Sequence, residues 1–508
     1  MRDTDEQAPQ IKVGKAFQTY QDAVAQLPYP GCFEFIHGGF KDLVEGDFHI
    51  PGKEWLNPFQ LAHIANYVSL FGSTQNNYRP QFELNSSLNA LKRLWSLAEN
   101  ENQYSENDDY IACFLLRWIY QQLPYAMDLR RVLRTCEIMR DLLCHSAVTA
   151  YIESSTSLTG RRLMDLSISL LGVFQRNPSC EESVLLKLRR PSDELRIVLK
   201  LFSADRLQRW EFHRQKLEVS SPFEKPYEIN SLLQYPLANY EGRYYAPYPE
   251  LVGYASARGL FFRFSEQGKQ KFRDPFADSM EEFTARLLRT TLPRAQIVTE
   301  QQERELGWTG KANDVSVILG DTAILFECKA SAFFVDAKRT AAPEAIIADL
   351  RKNLANGEKR KGLFQLYDKC NAIRSKELPR QLMERYKDVK RIFPVMLLFD
   401  AIEHANAAAV IGNIIKDELQ AHRITGFDYQ IWHLEELSWL AEFAGEAFVE
   451  WIAEKFLPDY FSLGLNSFVS TKTGNAFLNQ GIYMPHGNRR ALEILTELSA
   501  KEHKRHTA

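Results

Sequence analysis

Apolar residues in the first half of this chain recur with a helical period. Segments Pro58–Phe71, 88–97, 109–123, 127–143 and 161–174 each place them three or four positions apart, which predicts amphipathic helices. The segments are too varied to be repeats, so residues 1–270 read as one mostly helical domain. Residues 32–50 alternate around His37-Gly38-Gly39, and a loop and a short hairpin both fit them. The Pro- and Tyr-rich stretch 220–249 reads as an irregular packed connector, with an aromatic groove for stacked bases as the alternative.

The pattern changes after Asp274-Pro275. A helix over 277–291 precedes a strand over 295–299, and two short apolar runs, Val315–Leu319 and 322–326, then flank Gly320-Asp321. A long polar helical region over 344–375 follows. After it come a strongly apolar strand over 391–399, a helix over 407–419, a strand over 429–434 and a helix over 435–443. Helical pieces near 447–456 and 488–501 complete the chain. The expected fold class is α+β and multidomain. It has a helical recognition or regulatory domain (1–270), a mixed sheet flanked by helices (271–445) and a helical cap or extension (446–508).

A two-residue loop that opens on glycine signals a type II′ hairpin. If Leu319 pairs with Thr322, Asp314 falls opposite Glu327, with Cβ atoms roughly 5 Å apart. Because side chains alternate between faces, Asp314, Ser316, Ile318, Ala323, Leu325, Glu327 and Lys329 share one face. Val315, Val317, Leu319, Thr322, Ile324, Phe326 and Cys328 share the other. The second face is expected to be core and the first to carry chemistry.

Composition narrows the function classes. The chain has 508 residues, 45% hydrophobic and 25% charged, which is globular and too long for one ordinary core. Its seven cysteines are scattered with no Cys-x-x-Cys pair, which argues for reduced thiols. Residues 1–17 lack the apolar core of a signal peptide and no apolar run reaches eighteen residues, so the cytoplasm is expected, with no membrane partner. There is no zinc-type histidine pair, no Walker loop and no nucleophile elbow. Net charge is −3, yet residues 351–391 hold thirteen Lys/Arg against five Asp/Glu. That local excess suits a phosphate backbone, and Lys352, Lys359, Arg360, Lys361 and Lys369 are its candidate nucleic-acid contacts.

An acidic helix, a strand, a strand entered at Asp314 and a strand carrying Glu327-Cys328-Lys329 follow one another, and a helix containing Gln365 comes after them. This order resembles the PD-(D/E)xK nuclease superfamily, the restriction-endonuclease-like fold, over residues 274–440. The resemblance implies that Asp314 and Glu327 bind Mg²⁺, for which Mn²⁺ can substitute, and that Lys329 assists the attacking water. The carbonyl of Cys328 is a further candidate ligand. In the family, the first-helix Glu follows an apolar residue and precedes an apolar pair. Glu281, after Met280 and before Leu287-Leu288, matches that setting, with Glu282 as the competitor. Gln365 matches the glutamine of the downstream helix.

Two departures are visible. Asn313 stands where the family has Pro, and the Gln-x-x-x-Tyr pattern of its helicase-linked branch is not met, since Lys369 lies four residues after Gln365. Mg²⁺ prefers hard oxygen ligands and commonly binds through one or two carboxylates. The expectation is therefore a metal-dependent endonuclease acting on DNA rather than RNA, of the kind used in bacterial restriction or anti-phage defence. The alternative is a partner-controlled or latent nuclease-like binding module. A protein partner or activator acting through residues 1–270, and a homo-oligomer, are the further associations this architecture implies.

Overall fold

A computed structural model describes residues 3–45, 58–74, 80–101, 129–188, 192–218, 225, 228–330, 343–399 and 405–474. The predicted helices over 109–123 and 488–501 lie outside them. Among the described residues the protein is α+β and mostly helical, with two mixed sheets and one antiparallel two-stranded ribbon. Among the described residues no helix is long and apolar enough to cross a membrane.

The first helices, Asp3–Ala25, Cys32–Glu45, Pro58–Phe71 and Pro80–Glu101, enclose a core around Tyr20, Phe33, Tyr67 and Leu91. The undecided stretch after Cys32 is therefore helical as far as Glu45. Its buried residues Cys32, Phe33, Ile36 and His37 recur with the period of a helix. The described part of the connector, 228–249, holds regular structure that its composition does not suggest. Leu237–Tyr240 and Arg243–Tyr245 form a hairpin turned at Glu241 (φ +50°) and Gly242 (φ +77°). With Ser179–Glu181 and Ser203–Ala204 it makes a four-stranded sheet.

The second sheet positions the candidate chemistry. Its strands are β1 (Gln296–Thr299), β2 (Val315–Leu319), β3 (Thr322–Lys329), β4 (Arg391–Leu398) and β5 (Gln430–His433), and they lie side by side in chain order. The pairs β1/β2 and β2/β3 are antiparallel, while β3/β4 and β4/β5 are parallel. Helix α1 (Gln270–Thr291) precedes β1. It starts earlier than the sequence pattern suggests and carries Pro275 within its second turn. A short helix α2 (Glu300–Glu305) follows β1, opened by a capping box in which Thr299 and Gln302 exchange side-chain and backbone hydrogen bonds.

The long polar region between β3 and β4 is not one helix. It divides into α3 (Pro343–Leu354), a two-stranded hairpin (Ala355–Asn356 with Lys361–Gly362) and α4 (Leu363–Arg374), and α5 (Arg380–Tyr386) lies beyond. Asn356 caps the turn by accepting from the Lys359 amide at 2.9 Å. Gly362 closes it at φ +69°, where an added Cβ would stand 2.2 Å from the Leu354 carbonyl oxygen. Helices α6 (Ala405–Ala421) and α7 (Leu434–Ala444) flank β5 in the chain.

Both faces of this sheet are core, which corrects the expectation of one chemical face. On one side Val315, Val317, Ile324 and Phe326 join α1, α7 and the helices from Leu129 onward in a single apolar cluster. There Phe261, Phe272, Phe276 and Phe399 pack ring to ring at centroid distances of 4.7 to 6.3 Å. On the other side Ile318, Ala323 and Leu325 pack with residues of α3, α4 and α6. A partly parallel sheet with helices on both faces buries both sets of side chains. Polar chemistry is left to the strand ends.

Candidate active site

The β2–β3 hairpin has the register expected from its turn. Leu319 pairs with Thr322 and Val315 with Phe326, and Gly320 sits at φ +57°, as the first position of that turn requires. Asp314, one step beyond the ladder, is thereby set against Glu327. Asp314 is held from two sides. Its Oδ2 accepts from the Cys328 amide at 2.5 Å, and its carbonyl accepts from the Glu300 amide at 3.0 Å. Glu327 Oε1 is paired with Lys329 Nζ at 2.5 Å, two residues along the same face. Glu327 is only 1% exposed, yet among the described residues its Oε2 has no hydrogen-bond partner.

Burial and mutual repulsion set the proton affinities here. The Asp314 carboxyl is raised well above its ordinary value, first by burial and then by Glu327 and Glu281. Burial also raises Glu327, against the pull of Lys329. Glu281 is pushed up to about 7 by burial, with Asp278, Glu300 and Glu327 adding to it. For Lys329, burial disfavours the ammonium, but Glu327 and Asp314 outweigh it and raise its affinity for the proton. The ammonium therefore stays charged at neutral pH.

Of the two glutamates competing on α1, Glu281 is the one electrostatically tied to Asp314 and Glu327. The Glu282 side chain points away, 63% exposed, 3.5 Å from His145 Nε2. Cys328 serves the site through its backbone, while its thiol lies in the core 3.8 Å from Thr284 Oγ1. Gln365 donates to the Ala312 carbonyl, so it braces the segment leading into Asp314. Asn313, in the position where the resemblance expects Pro, is fully buried and donates to the Val315 carbonyl at 2.8 Å and to Ser316 Oγ at 3.0 Å.

The proposed basic track is only partly available. Lys369 is a correction: it is 0% exposed, paired with Glu303 at 2.7 Å and stacked near Trp308 and Tyr386, so it cannot meet a phosphate. Its place on the buried side of α4 put it there, which a charge count along the chain does not register. Arg360 is bound to Asp368 at 2.7 Å and lies over the Phe364 ring. Lys352, Lys359 and Lys361 are exposed. Lys361 is close enough to Glu327 to favour its ionised form.

Among the described residues no group of three or more His, Cys, Asp or Glu side chains is arranged to hold a metal ion. The two central carboxylates instead have protein donors, Lys329 on Glu327 and the Cys328 amide on Asp314. The donor set nonetheless fits a hard cation: carboxylate oxygens crowded until their proton affinities rise, with one buried oxygen left unpaired. Two members escaped the sequence reading. Asp278 sits one helical turn before Glu281, and Glu300 acts on both Glu281 and Glu327. The capping box Thr299-Glu300-Gln301-Gln302 was the available signal that a helix begins there, beside the site.

Comparison of the chain with protein-family models, with curated proteins and with solved structures returns no match.

Proposed function

We propose that this protein is a metal-dependent nuclease that hydrolyses phosphodiester bonds, with DNA as substrate. The observation that carries the reading is the buried Glu327 carboxylate. One of its oxygens is paired with Lys329 and the other is unpaired among the described residues, in a neighbourhood that Asp314, Glu281 and Glu300 make strongly acidic. Burying an unpaired charged oxygen costs stability unless a cation or proton meets it. Asp314, Glu327 and Glu281, with the carbonyl of Cys328, would hold Mg²⁺. When bound, the ion would supply positive charge against the developing charge on phosphate and lower the pKa of a coordinated water. Lys329 contributes a permanent ammonium beside Glu327, suited to hold a water or phosphate oxygen by a charged hydrogen bond. The exposed Lys352, Lys359 and Lys361 would contact the substrate backbone.

The test is incubation of the purified chain with plasmid, single-stranded DNA and total RNA, with and without Mg²⁺. Cleavage should disappear with EDTA and in Asp314→Ala, Glu327→Ala and Lys329→Ala, while the circular dichroism of each variant matches wild type. Cleavage that survives all three substitutions sinks the reading. A second reading is favoured by the depth of the site, where Asp314 is 6% exposed: cutting awaits a partner bound through residues 1–270. It predicts no cleavage by the pure chain and cleavage once a co-purifying partner is restored.

A further inference from the structure

The two ladders that flank β2 meet at Asp314. In β1/β2, Thr299 pairs with Val315, and the Glu300 amide bonds the Asp314 carbonyl at 3.0 Å, which carries the pairing one step further. In β2/β3, Val315 pairs with Phe326, so the next step opposes Asp314 and Glu327. Glu300, the first residue of α2, is therefore held beside Asp314 by that backbone bond, and Asp314 in turn opposes Glu327. Opposed residues of a ladder share a face with Cβ atoms roughly 5 Å apart, which applies to Asp314 and Glu327. Three neighbouring carboxylates repel, and Lys329 and Arg304 each engage a single oxygen of the outer two.

We propose that Glu300 is a fourth carboxylate of the cation site, holding a divalent ion of the Mg²⁺/Mn²⁺ class together with Glu281 and Glu327; this rests on the metal-dependent reading above. An independent observation points to the ligand: Glu327 Oε2, in a side chain 2% exposed, has no hydrogen-bond partner among the described residues. Glu300 is also oriented. Arg304 donates to its Oε1 from Nη2 at 2.7 Å and from Nε at 3.2 Å, and Arg304 itself is fixed by the Gly310 carbonyl at 2.7 Å. That grip engages Oε1 and fixes the half-exposed carboxylate along the first turn of α2. Electrostatics agree, since Glu300 opposes ionisation of Glu281 and of Glu327. The bland alternative is that Glu300 and Arg304 are an ordinary surface pair four residues apart on a helix, of little energetic weight and with no bearing on metal.

Mn²⁺ binding to the full chain, followed by loss of the aqueous Mn²⁺ electron paramagnetic resonance signal, separates these. Glu300→Gln should weaken binding by about tenfold, as loss of a supporting oxygen ligand does. Glu327→Gln should weaken it at least as much. Glu305→Gln, on the same helix with its side chain bonded to Gln301, should bind like wild type. If Glu300→Gln binds Mn²⁺ like wild type while Glu327→Gln does not, Glu300 is no ligand and the metal site survives. If wild type binds no Mn²⁺, or Glu327→Gln binds it unchanged, the site reading fails and this proposal fails with it.

Discussion

Glu281→Gln should make the protein more stable at neutral pH while ending its cleavage. The Glu281 carboxyl is pushed from 4.5 to about 7, by burial first and then by Asp278, Glu300 and Glu327. A gap of roughly 2.5 units is worth about 3 kcal/mol. Because the folded-state value is the higher one, the contribution of Glu281 to stability is fully present below about pH 4.5 and is lost as pH rises through about 7. Relative to a neutral glutamine, wild type should lose about 1 kcal/mol by pH 5, about 2 by pH 6 and about 3 by pH 7. Thermal unfolding of both proteins from pH 4.5 to 8, in EDTA, measures this. For a cooperative unit of 150–250 residues the neutral-pH difference is a melting shift of roughly 6–12 °C in favour of the variant. Adding Mg²⁺ should shrink that advantage, since a cation stabilises only the carboxylate. A variant less stable than wild type, or a difference that stays flat across this pH range, would refute the crowded acidic site.

Lys369→Met should cost about 3–5 kcal/mol in urea unfolding, because it strands the buried Glu303 carboxylate. The loss should shrink at lower pH, where Glu303, already raised by burial, takes up a proton, and Glu303→Gln in the same background should recover much of it. Nucleic-acid affinity should not change in Lys369→Met protein that remains folded. Lys359→Ala and Lys361→Ala should behave oppositely, with unaltered stability and weaker binding to all sequences. Measured in Asp314→Ala protein, each should reduce the slope of log affinity against log salt by about 0.7–0.9.

Where a feature depends on neighbours within a few residues, it was legible in the chain. The Gly320-Asp321 turn and the alternation around it place Asp314 against Glu327, because a slip of one residue would swap every side chain of the hairpin between two differently packed cores. Two other turns are equally local. Asn356-Gly357 divides what reads as one long helix. A two-residue turn at Glu241-Gly242 makes a hairpin of a Tyr-rich stretch that reads as irregular. In both, composition over a wide window outweighed a two-residue turn signal.

The sequence by itself determined the strand order of residue types, the hairpin register and the pairing of acid with Lys329 on one face, since these follow from a backbone whose side chains alternate with period two. Only the tertiary structure decided which charges matter. It turned Glu281 toward the site and Glu282 toward His145, sank Lys369 beneath α4 against Glu303, left Lys361 at the surface, and paired β1 with β2 so that Glu300 came beside Asp314. Burial and cross-strand neighbourhood come from contacts between residues far apart in the chain. The proton affinity of each carboxylate is set by those contacts rather than by its own position in the sequence.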